Sequence, residues 1–235
     1  MRVYPAIDLW EGKVCFLSPE PGGPPRRVSA DPLRTAREWA SRGAERLHLV
    51  DLNRALGQGD NADVIDRILT ETPLAVEVGG GIREESRIAE LIDRGADRVI
   101  VSTRALQEPS WLDRVARSWP GRMILAIDRK GSRALVAGRT SSSKRQLPRI
   151  WAEIGEAPLA GVLVTNVETE GRLAGVGNVP ELPALPRSWE RIAAGGISTP
   201  DDMARLSRAG FDAGVVGYAA YQDPTLIERL RTGAP

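Results

Sequence analysis

Two aspartates and two glycine turns carry the chemistry open to this sequence. Ala6-Ile7-Asp8 near the start is answered 120 positions later by Ala126-Ile127-Asp128, and Gly80-Gly81-Ile82 returns as Gly195-Gly196-Ile197 at an offset of 115. The second match runs without a gap through Ala89, Leu91, Gly95, Asp97, Val101, Ala105 and Pro109 onto Ala204, Leu206, Gly210, Asp212, Val216, Ala220 and Pro224. The chain therefore reads as two similar halves, each with one carboxylate and one glycine-rich turn. A Gly-Gly-Ile turn after a strand lets main-chain N–H groups approach an anion closely, and a following helix adds its dipole. Each turn is followed by a strand ending in a small residue, Ser102 or Gly217, so two adjacent loops can grip one phosphate. A single turn of this kind also reads as a tight βα loop. Two equivalent copies imply two phosphate sites, hence a long substrate with a phosphate at each end. Asp8 and Asp128 between them suit base and acid roles if their surroundings separate their pKa values. A lone strand-end aspartate also reads as a loop cap or an arginine partner. Thr165 and Asp51 are candidates for orienting substrate hydroxyls.

The elements that position these residues are legible as short apolar runs alternating with amphipathic stretches. Strands are expected at Val3–Asp8, Arg46–Asp51, Leu74–Val78, Arg98–Val101, Met123–Ile127, Gly161–Thr165, Arg191–Ala194 and Ala213–Val216. Helices are expected around Pro32–Arg42, Asn61–Thr70, Glu84–Arg94, Pro109–Ser118, Leu147–Gly155, Thr199–Ala209 and Pro224–Arg231. Pro180, Pro183 and Pro186 obscure the helix that would follow the sixth strand. Strands buried on both faces and joined by helices give a parallel sheet, and eight βα units in ~250 residues close into a (β/α)8 TIM barrel. An open doubly wound sheet is the rival, but a twofold repeat favours closure. The expectation is a single α/β barrel domain over residues 1–235, with half-barrels of about 1–120 and 121–235. Chemistry then sits at the carboxyl ends of the strands.

Composition narrows the partners. With 32 Lys+Arg against 31 Asp+Glu, no net field favours nucleic acid or an anionic membrane. The apolar runs stop far short of the ~20 residues a membrane helix requires, and no signal-peptide pattern opens the chain, so a cytoplasmic location is expected. One cysteine, Cys15, and one histidine, His48, leave no disulfide and no multi-cysteine or two-histidine metal site. Carboxylates are the acid–base groups most readily at hand. The six tryptophans read mostly as packing. Trp10, two residues after Asp8, fits either packing under the first loop or stacking on substrate.

Ala6-Ile7-Asp8-Leu9 with Gly12-Lys13-Val14, Leu47-His48-Leu49-Val50-Asp51-Leu52, and Val78-Gly79-Gly80-Gly81-Ile82-Arg83 together resemble the phosphoribosyl isomerase family of histidine biosynthesis. The resemblance covers essentially the whole chain. It implies a half-barrel-duplicated (β/α)8 fold and an aldose–ketose isomerase, an intramolecular oxidoreductase. Its reaction is the Amadori rearrangement of ProFAR, the N′-phosphoribosylformimino derivative of aminoimidazole carboxamide ribotide, to its ribulosyl isomer. It implies no cofactor, no metal and a small bisphosphorylated partner. A monomer is the expectation, though no motif in the sequence encodes the oligomeric state. Carried over by position, Asp8 is the base at ribose C2, with Asp128 and Thr165 at the reacting ribose. His48 reads as a structural or supporting residue. Gly80, Gly81, Arg83, Ser102 and Thr103 would hold one phosphate, and Gly195, Gly196 and Gly217 the other.

The chain departs from the family pattern at several places. Cys15-Phe16-Leu17 stands where a cation is usual. The stretch Thr165-Asn166-Val167-Glu168-Thr169-Glu170-Gly171-Arg172 replaces the usual second aspartate, a catalytic acid, by Glu170. Gly138-Arg139-Thr140-Ser141-Ser142-Ser143 lacks a Gly-Trp pair, Ala194 replaces a serine, and the loop from Ser18 to Arg27 is unusually rich in Pro and Gly. Arg26, Arg27, Arg139, Lys144 and Arg172 are the cations available as substitutes. Glu170 joins Asp8, Asp128 and Thr165 in the expected catalytic set. The alternatives are a diverged paralogue that binds phosphosugar without the isomerase chemistry, and a bifunctional isomerase also acting on phosphoribosyl anthranilate. Two more are a cyclase of the same fold that needs an ammonia-supplying partner, and a phosphate-sugar binding scaffold. The first two strands follow the isomerase pattern rather than the cyclase one.

Overall fold

The computed structural model describes residues 1–18, 25–131, 133–136, 141–155, 157–223 and 225–233. Its frame is eight parallel strands: β1 (Arg2–Trp10), β4 (Arg46–Asp51), β5 (Ala75–Gly79), β6 (Arg98–Val101), β7 (Met123–Lys130), β10 (Gly161–Asn166), β11 (Glu190–Ala194) and β12 (Ala213–Val216). Each pairs with the next in parallel, β10 also pairs with β7, and β12 returns to β1, which closes the sheet into a barrel. Closure excludes the open doubly wound alternative.

The twofold repeat survives as register. Ala6 lies opposite His48 and Asp8 opposite Val50 across β1 and β4. In the second half Ala126 lies opposite Leu163 and Asp128 opposite Thr165 across β7 and β10. The two aspartates therefore stand at equivalent heights, four strands apart round the barrel.

Side chains alternate across each strand, so odd and even positions divide between two cores. Leu47, Leu49, Val76, Val78, Val99, Val101, Leu125, Ile127, Val162 and Val164 face outward into the layer covered by helices. Tyr4, Ala6, Ile100, Ile124, Ala126, Leu163, Ile192 and Val215 fill the barrel interior. The lower end closes on a polar network: Glu190 accepts from the Tyr4 hydroxyl and pairs with Arg98 and, at 2.7 Å, with Arg2. At the upper end the inward positions carry Asp8, Gly79, Asp128, Thr165, Ala194 and Gly217. Most of these are small, and a layer of small side chains leaves open space where a bulky layer would fill it.

The outer helices follow the sequence signals. The helices α1 (Pro32–Ser41), α3 (Ala62–Glu71), α4 (Glu85–Asp93), α6 (Pro109–Ser118), α7 (Leu147–Ile154), α8 (Pro200–Arg208) and α10 (Leu226–Thr232) fall where helices are expected. Asp31 caps α1 by accepting from the Arg34 N–H at 2.9 Å, ahead of Pro32 in the first turn. Thr199 and Asp202 form a reciprocal capping box on α8. Residues 167–189 contain turns and no helix, in keeping with the three prolines there. Pro224 lies outside the described residues, so the last helix is described from Leu226.

The structure adds elements that periodicity did not signal. A hairpin of β2 (Lys13–Phe16) and β3 (Arg26–Ser29) extends from β1, and β8 (Arg133–Val136) with β9 (Ser141–Gln146) extends from β7. Three short helices, α2 (Leu52–Leu56), α5 (Thr103–Gln107) and α9 (Tyr218–Gln222), sit in loops at the upper end. No helix among the described residues is long and apolar enough to cross a membrane.

Candidate active site

The upper end of the barrel opens into two adjoining cavities. One is lined by Asp8, Thr165, Glu170, Gly195, Gly196 and Gly217 among others. The other is lined by Gly80, Gly81, Arg83, Ser102, Thr103, Asp128 and Thr165 among others. Every catalytic and phosphate-holding residue expected from the sequence lines one of the two; Asp51 does not. Leu17, His48, Val50, Leu52 and Thr165 border both, so the cavities meet along a common wall made by β4 and β10.

The glycine turns are dictated by packing as well as by the space they face. Gly195 has φ +95°, and a Cβ there would lie 2.3 Å from the Asn166 carbonyl oxygen; at Gly80, φ is +105° and the same clash arises with Asp51 O at 2.3 Å. Asp51 and Asn166 are themselves equivalent under the repeat. Each turn therefore rests on the end of the preceding barrel strand, and only glycine fits. That contact fixes the height of the main chain that borders the cavity. The residues closing the neighbouring strands also match: Ser102 has φ −140° and ψ −96°, Gly217 φ −97° and ψ −115°.

Asp51 does not face the site, contrary to expectation. It is 1% exposed, and its carboxylate accepts from the main-chain N–H of Arg54 at 3.1 Å, from that of Asn61 at 3.0 Å and from the Asn61 amide at 2.7 Å. Strand parity explains the correction: Val50 points inward, so Asp51 points outward, where it caps α2 and ties the loop to Asn61. Trp10 lines neither cavity and pairs with Lys13 in the β1–β2 hairpin, which favours its packing role. Cys15 is buried, and burial pushes its thiol up, away from the reactive thiolate.

His48 points into the barrel from β4. It is 7% exposed, it borders both cavities, and its Nδ1 lies 2.7 Å from Oε1 of Glu77, itself fully buried on β5. Burial pushes the imidazole pKa down, but the hydrogen bond and charge of Glu77, joined by the charges of Asp8 and Glu170, outweigh it and hold the pKa above its ordinary value. The other Glu77 oxygen, Oε2, is buried without a partner among the described residues. The site thus places an imidazole with a raised pKa at its centre, between carboxylates. Sequence reasoning missed Glu77; the available signal was a lone charge inside the apolar strand Ala75–Gly79.

The cation inventory of the two cavities is unequal. Arg83 and Arg104 line the Asp128 cavity, where Arg104 stacks on Trp111 at 4.8 Å and donates to the Arg83 carbonyl. Arg104 was not foreseen. The Asp8 cavity is lined by no lysine or arginine among the described residues. Phe16 stands at its outer end, 5.3 Å from the Tyr221 ring and 6.2 Å from the Tyr218 ring, filling the space beside Gly217. Of the cations available as substitutes, Arg139 lies outside the described residues, as does the side chain of Lys144; residues 138–140 of the altered loop and 19–24 of the Pro/Gly-rich loop are likewise outside. Among the described residues no group of three or more His, Cys, Asp or Glu side chains is arranged to hold a metal ion.

Fold and site together define a closed (β/α)8 barrel with half-barrel symmetry and carboxylates from both halves at its open end. Comparison identifies the family. Residues 2–225 match the family model described as histidine biosynthesis protein, and the chain belongs to that family. A relative from Gemmatimonas aurantiaca is 38% identical over 235 residues, covering 98% of either chain. One from Myxococcus xanthus is 37% identical over 227 residues, 94% of either chain. A third, from Thermus thermophilus, is 36% identical over 230 residues, covering 94% of this chain and 95% of its own. All three are named as 1-(5-phosphoribosyl)-5-((5-phosphoribosylamino)methylideneamino) imidazole-4-carboxamide isomerases.

Proposed function

We propose that this chain is a ProFAR isomerase, converting the aminoaldose to the aminoketose in histidine biosynthesis. The observation that carries the reading is the two-ended cavity: a glycine turn at each outer end, and Asp8, Asp128, Thr165 and His48 along the middle. A substrate with one phosphate in each end lays its linking ribose across that middle. The isomerase name of relatives matching nearly the whole chain supports the same reaction.

The chemistry is a proton relay within one molecule. An acid protonates the ribose ring oxygen as the C1–O bond breaks, giving the open-chain iminium ion. Asp8 then removes the C2 proton and the C–H electron pair forms the enol amine as the iminium nitrogen is neutralised; proton delivery to C1, with loss of the C2 hydroxyl proton to a base, leaves a ketone at C2. Glu170, which shares the Asp8 cavity, is suited to the acid role, while Asp128 and Thr165 hold the ribose from the facing strands. Positioned acid–base catalysis of this kind contributes typically 10²–10⁴-fold. Both cavities draw on residues from both halves of the repeat, so neither half completes a site alone; this supports a single working domain over residues 1–235. The same reading takes the protein as a cytoplasmic monomer.

The test is steady-state turnover of ProFAR by the purified protein. Conversion to the ribulosyl isomer supports the proposal. ProFAR bound without turnover would identify a diverged paralogue, and turnover of phosphoribosyl anthranilate beside ProFAR would extend the proposal to a bifunctional enzyme.

A further inference from the structure

The Asp8 cavity poses an electrostatic problem. Its lining includes two carboxylates, Asp8 and Glu170, and no lysine or arginine among the described residues, yet one phosphate of the proposed substrate must enter it. A dianion brought beside carboxylates in a partly closed cavity needs nearby cationic donors, and charge-assisted bonds from guanidinium are the strong ones. His48 stands two strands round the barrel from Gly217, on the wall shared with the other cavity.

The β2–β3 hairpin brings a guanidinium near the rim: Arg26 is exposed and does not itself line the cavity, but it lies over Tyr218, which does. Arg26 on β3 is the direct cross-strand partner of Phe16 on β2, so both side chains leave the hairpin on the same face. Phe16 packs against Gly217 and edge-on to Tyr218; the Arg26 guanidinium lies over the same Tyr218 ring, 4.7 Å from its centroid. Stacking on an aromatic face orients the planar guanidinium while leaving its in-plane N–H donors available. Among the described residues no carboxylate pairs with Arg26, which is exposed on β3. Its neighbour Arg27 lies opposite the buried Cys15, on the other face of the hairpin.

We propose that Arg26, held on Tyr218 beside Phe16, is the cation that binds the substrate phosphate at the Gly195–Gly196–Gly217 end of the site. The inference rests on the isomerase reading for the identity of the ligand, but the anion-binding claim is separable from it. Arg26 touches no reacting atom, so it contributes to substrate affinity, and its charge rather than its bulk is what matters.

The experiment compares wild type with Arg26→Ala, Arg26→Lys and Arg27→Ala in two readouts: steady-state kinetics with ProFAR, and the rise in Tm on adding inorganic phosphate. Loss of one charge-assisted contact corresponds to a change of about 10- to 100-fold in affinity. Arg26→Ala is expected to raise KM by that factor with kcat within about threefold. It should also show a smaller phosphate-induced rise in Tm, since a ligand that binds only the native state stabilises in proportion to its affinity. Arg26→Lys falls between, and Arg27→Ala behaves as wild type. Equal KM and equal phosphate response in wild type and Arg26→Ala would overturn the inference, as would an equal loss in Arg27→Ala, which would reduce the effect to net charge. If wild type fails to turn over ProFAR, the isomerase reading fails, and the phosphate response of Arg26→Ala still decides the claim about Arg26.

Discussion

Replacing Glu77 by Gln tests whether the centre of the site is electrostatically built as described. The substitution keeps the side-chain shape and an oxygen facing His48, but it removes the charge. The pair is fully interior, with Glu77 at 0% and His48 at 7% exposure and Nδ1···Oε1 at 2.7 Å. A hydrogen bond to a charged group contributes about 1.5–3 kcal/mol against about 0.5–1.5 for a neutral one. The variant therefore loses about 1–2 kcal/mol of interaction with the imidazolium, and the His48 pKa moves downward. The sign follows from linkage. Because the folded pKa of His48 lies above its unfolded value, the pair's contribution is complete below the ordinary imidazole pKa and is lost as pH rises through the higher folded value. Urea denaturation should thus show wild type more stable than Glu77→Gln by about 1–2 kcal/mol below the ordinary imidazole pKa, with the difference shrinking as pH rises through the folded value. His48 is the only histidine in the chain, so a single imidazole NMR signal reports its titration without assignment. A wild-type His48 titrating at or below the ordinary value, or one unmoved by Glu77→Gln, would refute the reasoning.

Other perturbations have equally definite outcomes. Gly210→Ala places a Cβ at φ +88° with nothing within 4 Å, so it costs only the left-handed backbone, about 1–2 kcal/mol. Gly195→Ala at φ +95° adds a Cβ 2.3 Å from the Asn166 carbonyl, and overpacking of that kind costs about 1–3 kcal/mol more; equal losses for the two in chemical denaturation would show that the turn does not rest on β10. Glu170→Gln keeps the shape of the proposed acid and should lower kcat by about 100- to 10,000-fold while ProFAR binding persists. Turnover within a few-fold of wild type would remove Glu170 from the mechanism.

The barrel was readable because parallel strands buried on both faces leave continuous apolar runs, and all eight lie where those runs stand. The helices were readable from caps such as Asp31 and Thr199. The two hairpins and the three short helices were not. Ser141–Gln146 is a polar stretch with no apolar alternation, and α2, α5 and α9 are each five residues long, too brief for a 3.6-residue period to emerge. The site was legible where the repeat doubled the signal, at Asp8 with Asp128 and at the two glycine turns. Its single-copy features were hidden: His48 meets Glu77 only because β4 and β5 are adjacent, and nothing local links Arg26 to Phe16 until the hairpin pairs them. Asp51 shows a reading that parity alone could have corrected, since an inward Val50 forces its neighbour outward.

The most direct test of the account is the kcat of Asp8→Asn with ProFAR, measured beside the dissociation constant of the same variant. Loss of turnover by several orders of magnitude with ProFAR affinity kept within a few-fold is what a base set between two phosphate-holding ends predicts. Turnover near the wild-type rate would contradict it.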